Sequence, residues 1–185
     1  MHRVNFHRNP QGFTLIELLV SLTILATVAV LALPRLTDDS QLRVLAASAL
    51  IASDLEYAQT MSIANPSDPI VVRFDAAGNA YWLAHESDPA VPIVRDDTME
   101  PYFITLGYGR GRSAQGVTFS LTGTSADTIV FNALGGLESV ADQPLITMVH
   151  GESMLGLAVS NATGSVRELS RDELEALKSE ELALK

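Results

Sequence analysis

Glu17 is the residue whose type and position most clearly suggest chemistry. It is the only charged side chain between Phe13 and Leu33, an otherwise apolar run that Pro34 follows. A carboxylate in such a run costs up to about 3 kcal/mol at the centre of a bilayer and less near its surface, so it usually has a partner. The run itself contains no cation. Cleavage after Gly12 would supply one, because it would create a positive amine on Phe13, one helical turn from Glu17.

The run Phe13–Leu33 is long enough to cross a membrane as a helix. At about 1.5 Å per residue it covers the roughly 30 Å hydrocarbon core of a bilayer. It is also longer than the apolar region of a secretory signal peptide, which has about 7–15 residues. Signal cleavage after Ala29 or Ala32 remains a minority alternative.

The charges on either side of this run predict its orientation. Residues 1–12 contain two arginines and no acid, whereas aspartates occupy positions 38 and 39. Positively charged flanks stay in the cytoplasm, so we expect the rest of the chain to lie outside it. Arg35 is a single contrary charge. A plain signal anchor would explain these features too, but an anchor has no use for Glu17.

Residues 12–20, Gly-Phe-Thr-Leu-Ile-Glu-Leu-Leu-Val, resemble the prepilin cleavage and methylation motif of type IV pilins and of type II secretion pseudopilins. The resemblance implies that a prepilin peptidase removes the leader after Gly12 and that the new terminus, Phe13, is N-methylated. It further implies that Glu17 guides assembly with other pilins or pseudopilins through the N-terminal helix. Pro34 stands where these proteins commonly bend that helix, which implies a helix kink there.

Helical patterning resumes after Pro34 and predicts an amphipathic helix from about Ser40 to Ala64. Its apolar positions recur at spacings of three and four, which is typical of a helix with one face on a core. They are Val44, Ala47, Ile51, Leu55 and Ala58, with Leu50, Tyr57 and Met61 widening the stripe. Two prolines and turn residues at 65–69 end the helix. We therefore assign 13–33 to a transmembrane and assembly helix and 34–65 to its continuation into a head.

Strand patterns follow from Ile70. A hairpin with a glycine-containing turn is predicted at 70–83, and residues 86–101 are rich in proline and acid and predict an irregular excursion. Further strands are predicted at 102–106, 117–121, 128–131, 145–149, 155–159 and 165–166. Short strands without alternating helices indicate antiparallel pairing. The predicted class is α+β, with a long N-terminal helix packed on an antiparallel β head at 66–167.

The residues after 167 form a charged tail, 168–185, in which Ser170 and Glu173 have the spacing of a capping box. We expect a short solvent-exposed helix there. The order of patterns from Ile129 to Val166 is similar to the C-terminal half of GspH/FimT-like minor pseudopilins. The chain has no cysteine, so it lacks the C-terminal disulfide of many type IV pilins.

A glycine- and arginine-rich segment, 107–112, is the one local basic patch. It lacks the lysine and the Ser/Thr of a phosphate-binding loop, so a flexible hairpin loop is the favoured interpretation. Tyr108, Arg110 and Arg112 are nevertheless the weak nucleic-acid candidates, because a tyrosine can stack on a base and arginine can contact phosphate. With 12 basic against 22 acidic residues and a net charge of −10, the chain as a whole argues against nucleic acid.

Other chemistry has weak support. His85 and His150 are far apart and are not framed by further ligands, and acids at 88, 96, 97 and 100 lack the spacing of a calcium loop, so no metal or other cofactor is predicted. Ser139, Ser153 and Ser160 lack a nucleophile-elbow motif. We predict that the chain is not an enzyme.

The resemblance implies a minor pseudopilin of a type II secretion system. Such a chain is held in the bacterial inner membrane by one span, with its head in the periplasm, until it is processed and assembled into a pseudopilus that supports protein secretion. Two alternatives stay open: a minor type IV pilin for pilus priming or DNA uptake, and a membrane-tethered periplasmic enzyme.

Overall fold

The computed structural model describes residues 14–37, 39–124, 126–138 and 142–183. The chain forms two units, Met1–Asp39 and Ser40–Lys185. The first contains helix α1, Leu15–Thr37. Among the residues described here, no helix is both long and apolar enough to cross a membrane. The predicted span Phe13–Leu33 therefore stays a prediction.

Helix α2, Ser40–Ala64, opens the second unit and buries the predicted stripe. Val44, Ala47, Ile51, Leu55 and Ala58 are all at most 2% exposed. They lie in a core shared with the strands that follow. The helix ends where Asn65 and Pro66 begin a turn, as the sequence predicts.

Two antiparallel sheets build the head. The strands of the first sheet are β1 Ile70–Asp75, β2 Ala80–His85, β3 Asp88–Pro92, β4 Phe103–Thr105 and β6 Thr128–Val130. Those of the second are β5 Thr118–Thr122, β7 Leu145–His150, β8 Ser153–Val159 and β9 Val166–Leu169. The first sheet has the order β3-β2-β1-β6, with β4 pairing on another stretch of β2, and the second has the order β5-β7-β8-β9. The α+β class and antiparallel pairing are confirmed.

The excursion predicted at 86–101 differs from expectation, because part of it is strand β3. This strand pairs with β2 through a register shift at Ala84/His85. Its sequence contains Pro89 and Pro92, which lack an N–H and confine a strand to the edge of a sheet. Because prolines are typical of loops, the sequence of this strand resembles that of a loop.

The flexible hairpin loop predicted at 107–112 is also wrong, since residues Gly109–Ala114 form a 3₁₀ helix. Gly111 is needed there: a Cβ at this position would collide with the carbonyl oxygen of Thr105. The segment is thus a compact turn packed on β4, which limits its freedom to adapt to a ligand.

The tail forms helix α3, Arg171–Ala183, and its capping box is confirmed. The Ser170 amide donates to Glu173 Oε2 at 2.8 Å, and the Glu173 amide donates to Ser170 Oγ at 3.4 Å. The expectation of an exposed helix needs one correction. Leu174 is fully buried, in a small cluster with Ala158 and Leu169 on the second sheet. Gly156 of β8 makes room for it, because a Cβ there would overlap the leucine methyl groups.

Candidate functional site

The N-terminal helix presents an apolar surface with one acid in its first turn. Leu15, Ile16 and Leu18 are 82%, 66% and 58% exposed, and the apolar side chains that follow up to Val28 are exposed as well. Thr14 caps the helix, since its Oγ1 accepts a hydrogen bond from the Glu17 amide at 3.3 Å. Helix α1 therefore offers a long apolar contact surface with a carboxylate at one end.

The Glu17 carboxylate has no ion-pair partner in the described part of the chain. Within residues 14–37, the backbone of Glu17 makes polar contacts on both sides: its amide donates to Thr14 Oγ1, and its carbonyl accepts a hydrogen bond from Ser21 Oγ at 2.8 Å. An acid in the first helical turn also complements the helix dipole, by about 0.3–1 kcal/mol when exposed. The carboxylate is thus positioned by its helix and available to an external cation.

The other residues of the predicted N-terminal site are less fully placed. Gly12 and Phe13 lie outside the described residues. Pro34 lies within α1, which continues to Thr37 before α2 begins at Ser40. Cleavage after Gly12, methylation of Phe13 and a kink at Pro34 stay predictions.

A buried polar cluster in the head was not found by sequence analysis. Asp54 of α2 is 1% exposed and accepts hydrogen bonds from the hydroxyl groups of Tyr81 at 2.6 Å and Tyr102 at 2.9 Å. Arg110 completes the cluster with an ion pair of 2.7 Å to Asp54 and a hydrogen bond of 2.7 Å to the Tyr102 hydroxyl. One carboxylate thus joins α2 to β2, to the start of β4 and to the 3₁₀ helix. Asp54 falls on the apolar stripe of α2. A charged residue at such a position is the sequence signal that could have identified this cluster.

Ionisation in this cluster is fixed by its surroundings. Burial, together with the negative charge of Asp54, raises the pKa of Tyr81 well above its ordinary value. Burial likewise raises the pKa of Tyr102 to about 12. For Arg110, burial alone would lower the pKa, but the hydrogen bond to Tyr102 and the charge of Asp54 raise it. Both tyrosines therefore remain hydrogen-bond donors and the arginine remains charged. The cluster is thus suited to holding these elements of the head together.

The structure does not combine the three nucleic-acid candidates into one basic surface. Tyr108 is 75% exposed and Arg112 is also exposed, but the Arg110 side chain, which is 32% exposed, pairs with Asp54. Its guanidinium lies 5.3 Å from the centre of the Tyr102 ring. Arg110 is thus already neutralised, which weakens the case for phosphate binding at this segment.

No group of metal-binding side chains occurs within the residues the structure describes. His85 Nδ1 lies 3.2 Å from Asp68, whereas His150 Nδ1 lies 2.7 Å from the Gly116 carbonyl, so the two histidines serve separate local contacts. Among the serines, Ser153 bonds to Ser40 and Ser160 caps a turn. Ser139 lies outside the described residues.

Comparison with known proteins gives two findings. Residues 7–33 match the family described as the prokaryotic N-terminal methylation motif. The fold is similar to the solved structure of the minor pseudopilin EpsH from the type 2 secretion system of Vibrio cholerae, with a TM-score of 0.51 and 13% identity. That match covers 69% of this chain and 97% of the EpsH chain. No curated protein matches in sequence. The resemblance to pseudopilins is thus supported by two findings, a methylation motif of the prepilin type at 7–33 and a fold similar to that of a minor pseudopilin.

Proposed function

We propose that this chain is a minor pseudopilin of a type II secretion system, and that Glu17 pairs with the N-terminal amine of a neighbouring subunit during assembly. The observation that carries the proposal is the geometry of α1: a carboxylate without an ion-pair partner among the described residues, at the end of an exposed apolar helix. The methylation motif at 7–33 and the pseudopilin fold support it.

The physics of association favours this role over that of a simple anchor. An apolar helix outside lipid needs other helices to cover it, so assembly partners are required. A buried ion pair adds little net affinity but penalises every arrangement in which one charge is left alone. Glu17 would therefore fix the register between helices that are otherwise uniformly apolar.

Processing would supply the missing charge. A prepilin peptidase would remove residues 1–12 and leave a methylated but still positive amine on Phe13. Before assembly, the span Phe13–Leu33 would hold the chain in the inner membrane, with the head in the periplasm. The chain would catalyse no reaction itself, and the head would contact neighbouring subunits or cargo.

Deletion of the gene in its native host, followed by complementation, tests this role. We expect the culture supernatant to lose the secreted proteins of the type II system, while surface pili and DNA uptake remain normal. Tagged wild-type chain should restore secretion and co-purify with other pseudopilins after cross-linking.

Other outcomes of this experiment would support the alternative functions. Normal secretion with lost pili, or co-purification with pilus subunits alone, would support the type IV pilin alternative. Salt-sensitive binding of the chain to duplex DNA would support its DNA-uptake form. Normal secretion, pili and DNA uptake in the deletion strain would overturn both.

A further inference from the structure

An open groove lies in the head between the C-terminal half of α2 and the segment that begins with β3. Its volume is about 470 Å³. Tyr57 and Met61 of α2 form one wall, and Val91 and Val94 form the other. All of these residues belong to the second unit. The proline-rich segment 86–101 contributes one side of the groove. The proposed assembly through α1 does not involve this segment.

Three apolar side chains of this groove are exposed, whereas Ile70, which also lines it, belongs to the core. Val91 is 58% exposed, Val94 is 57% exposed and Tyr57 is 37% exposed. Single exposed apolar residues are ordinary, but several that line one concave surface are typical of a binding site for another protein.

The charges at the groove are acidic. Asp88 and Asp96 line it, and neither forms an ion pair with a described residue. His85 lines it as well but already contacts Asp68 at 3.2 Å. Arg95, beside the groove, is held by Asp97 at 2.6 Å. A ligand in the groove would thus meet two carboxylates that form no ion pair with any described residue.

We infer that this groove docks a segment of another protein that carries apolar side chains flanked by lysine or arginine. The apolar walls would bind the apolar side chains, and Asp88 and Asp96 would select the basic flanks. A second copy of this chain is disfavoured, because the same face would bring these carboxylates together. Pairing of a strand along β3 is disfavoured too, since Pro89 and Pro92 offer no N–H. Recognition would therefore use side chains. The inference goes beyond the filament role and does not depend on it.

The test is calorimetric titration of the full chain in non-ionic detergent with a synthetic peptide of alternating leucine and lysine. A peptide in which glutamate replaces lysine serves as the charge control, and titration into empty micelles gives the blank. We expect saturable binding of the lysine peptide that weakens as salt rises, and no binding of the glutamate peptide. Val94→Ser and Asp96→Lys should each weaken binding by about tenfold, as removal of a central contact does.

Two matched variants separate the groove from general surface effects. Leu134 is 93% exposed and Glu138 is exposed, and both lie outside the groove. Leu134→Ser and Glu138→Lys make the same chemical changes there and should leave binding unaltered. Equal weakening in a control and its groove variant, or no saturable binding to the wild-type chain, would overturn the inference. A dimer in sedimentation that Val94→Ser abolishes would overturn it as well, because the occupant would then be a second copy.

Discussion

Replacement of Glu17 by glutamine or valine is expected to block incorporation into the filament while leaving removal of residues 1–12 intact. In the mutant, the amine of Phe13 on a neighbouring subunit would be buried without its counter-charge. Breaking a buried ion pair from one side costs about 3–5 kcal/mol, which corresponds to a loss of roughly 150- to 4000-fold in association. The measurement is the fraction of processed chain that co-sediments with sheared filaments.

Ser21→Ala is the matched control for this experiment. Ser21 lies one turn further along α1, where its hydroxyl donates to the Glu17 carbonyl, so the variant disturbs the same helix and keeps the acid. It should assemble normally. Glutamine is the more informative substitution of Glu17, since it keeps the shape of the side chain and removes only the charge. Normal incorporation of Glu17→Gln would reduce the role of the acid to an interaction with the helix dipole, worth about 0.3–1 kcal/mol.

Replacement of Asp54 by alanine should strongly destabilise the head. It would leave the Arg110 guanidinium and the hydroxyl groups of Tyr81 and Tyr102 without their shared acceptor. A buried polar group left without its partner costs about 1–3 kcal/mol, which is a large part of the stability of an ordinary domain, whereas the Arg110 side chain is 32% exposed and can still contact water. Chemical denaturation, followed by the fluorescence of Trp82, would measure the loss.

Two further variants test whether the polar cluster around Asp54 causes this loss of stability. Asp97→Ala removes another aspartate that pairs with an arginine, but its side chain is 64% exposed, and the free energy of unfolding should stay unchanged within error. Combining Asp54→Leu with Arg110→Met should recover part of the stability, because Arg110 is then no longer left without its counter-charge. If Asp54→Ala unfolds at the same denaturant concentration as Asp97→Ala, the cluster does not tie the head together.

Much of the fold could be predicted because its elements follow simple periodicities. The stripe from Val44 to Ala58 predicted α2, and the hairpin of β1 and β2 followed from alternation around a glycine-containing turn. Strand β3 was missed because its prolines mimic a loop. The 3₁₀ helix at 109–114 was missed because glycine and arginine look flexible until a distant acid binds the arginine.

The candidate sites also differ in how far local sequence patterns predict them. Glu17 could be identified from sequence because a charge inside an apolar run breaks the local pattern. Asp54 breaks the pattern of α2 in the same way, but its partners lie on other elements of the head, so the break alone does not predict what the acid binds. Only the fold brings Tyr81, Tyr102 and Arg110 around it. The burial of Leu174 could not be predicted from its own segment, because it depends on the space left by Gly156 on another element.

Mass spectrometry of the mature N-terminus, on protein isolated from its native cells, tests the central claim most directly. Pairing of Glu17 with a neighbouring amine requires that the amine exist, and therefore that the chain be cut after Gly12. We predict a mature chain that begins with N-methylated Phe13. A chain that keeps Met1, or one that begins after Ala29 and so lacks Glu17 altogether, would contradict the account.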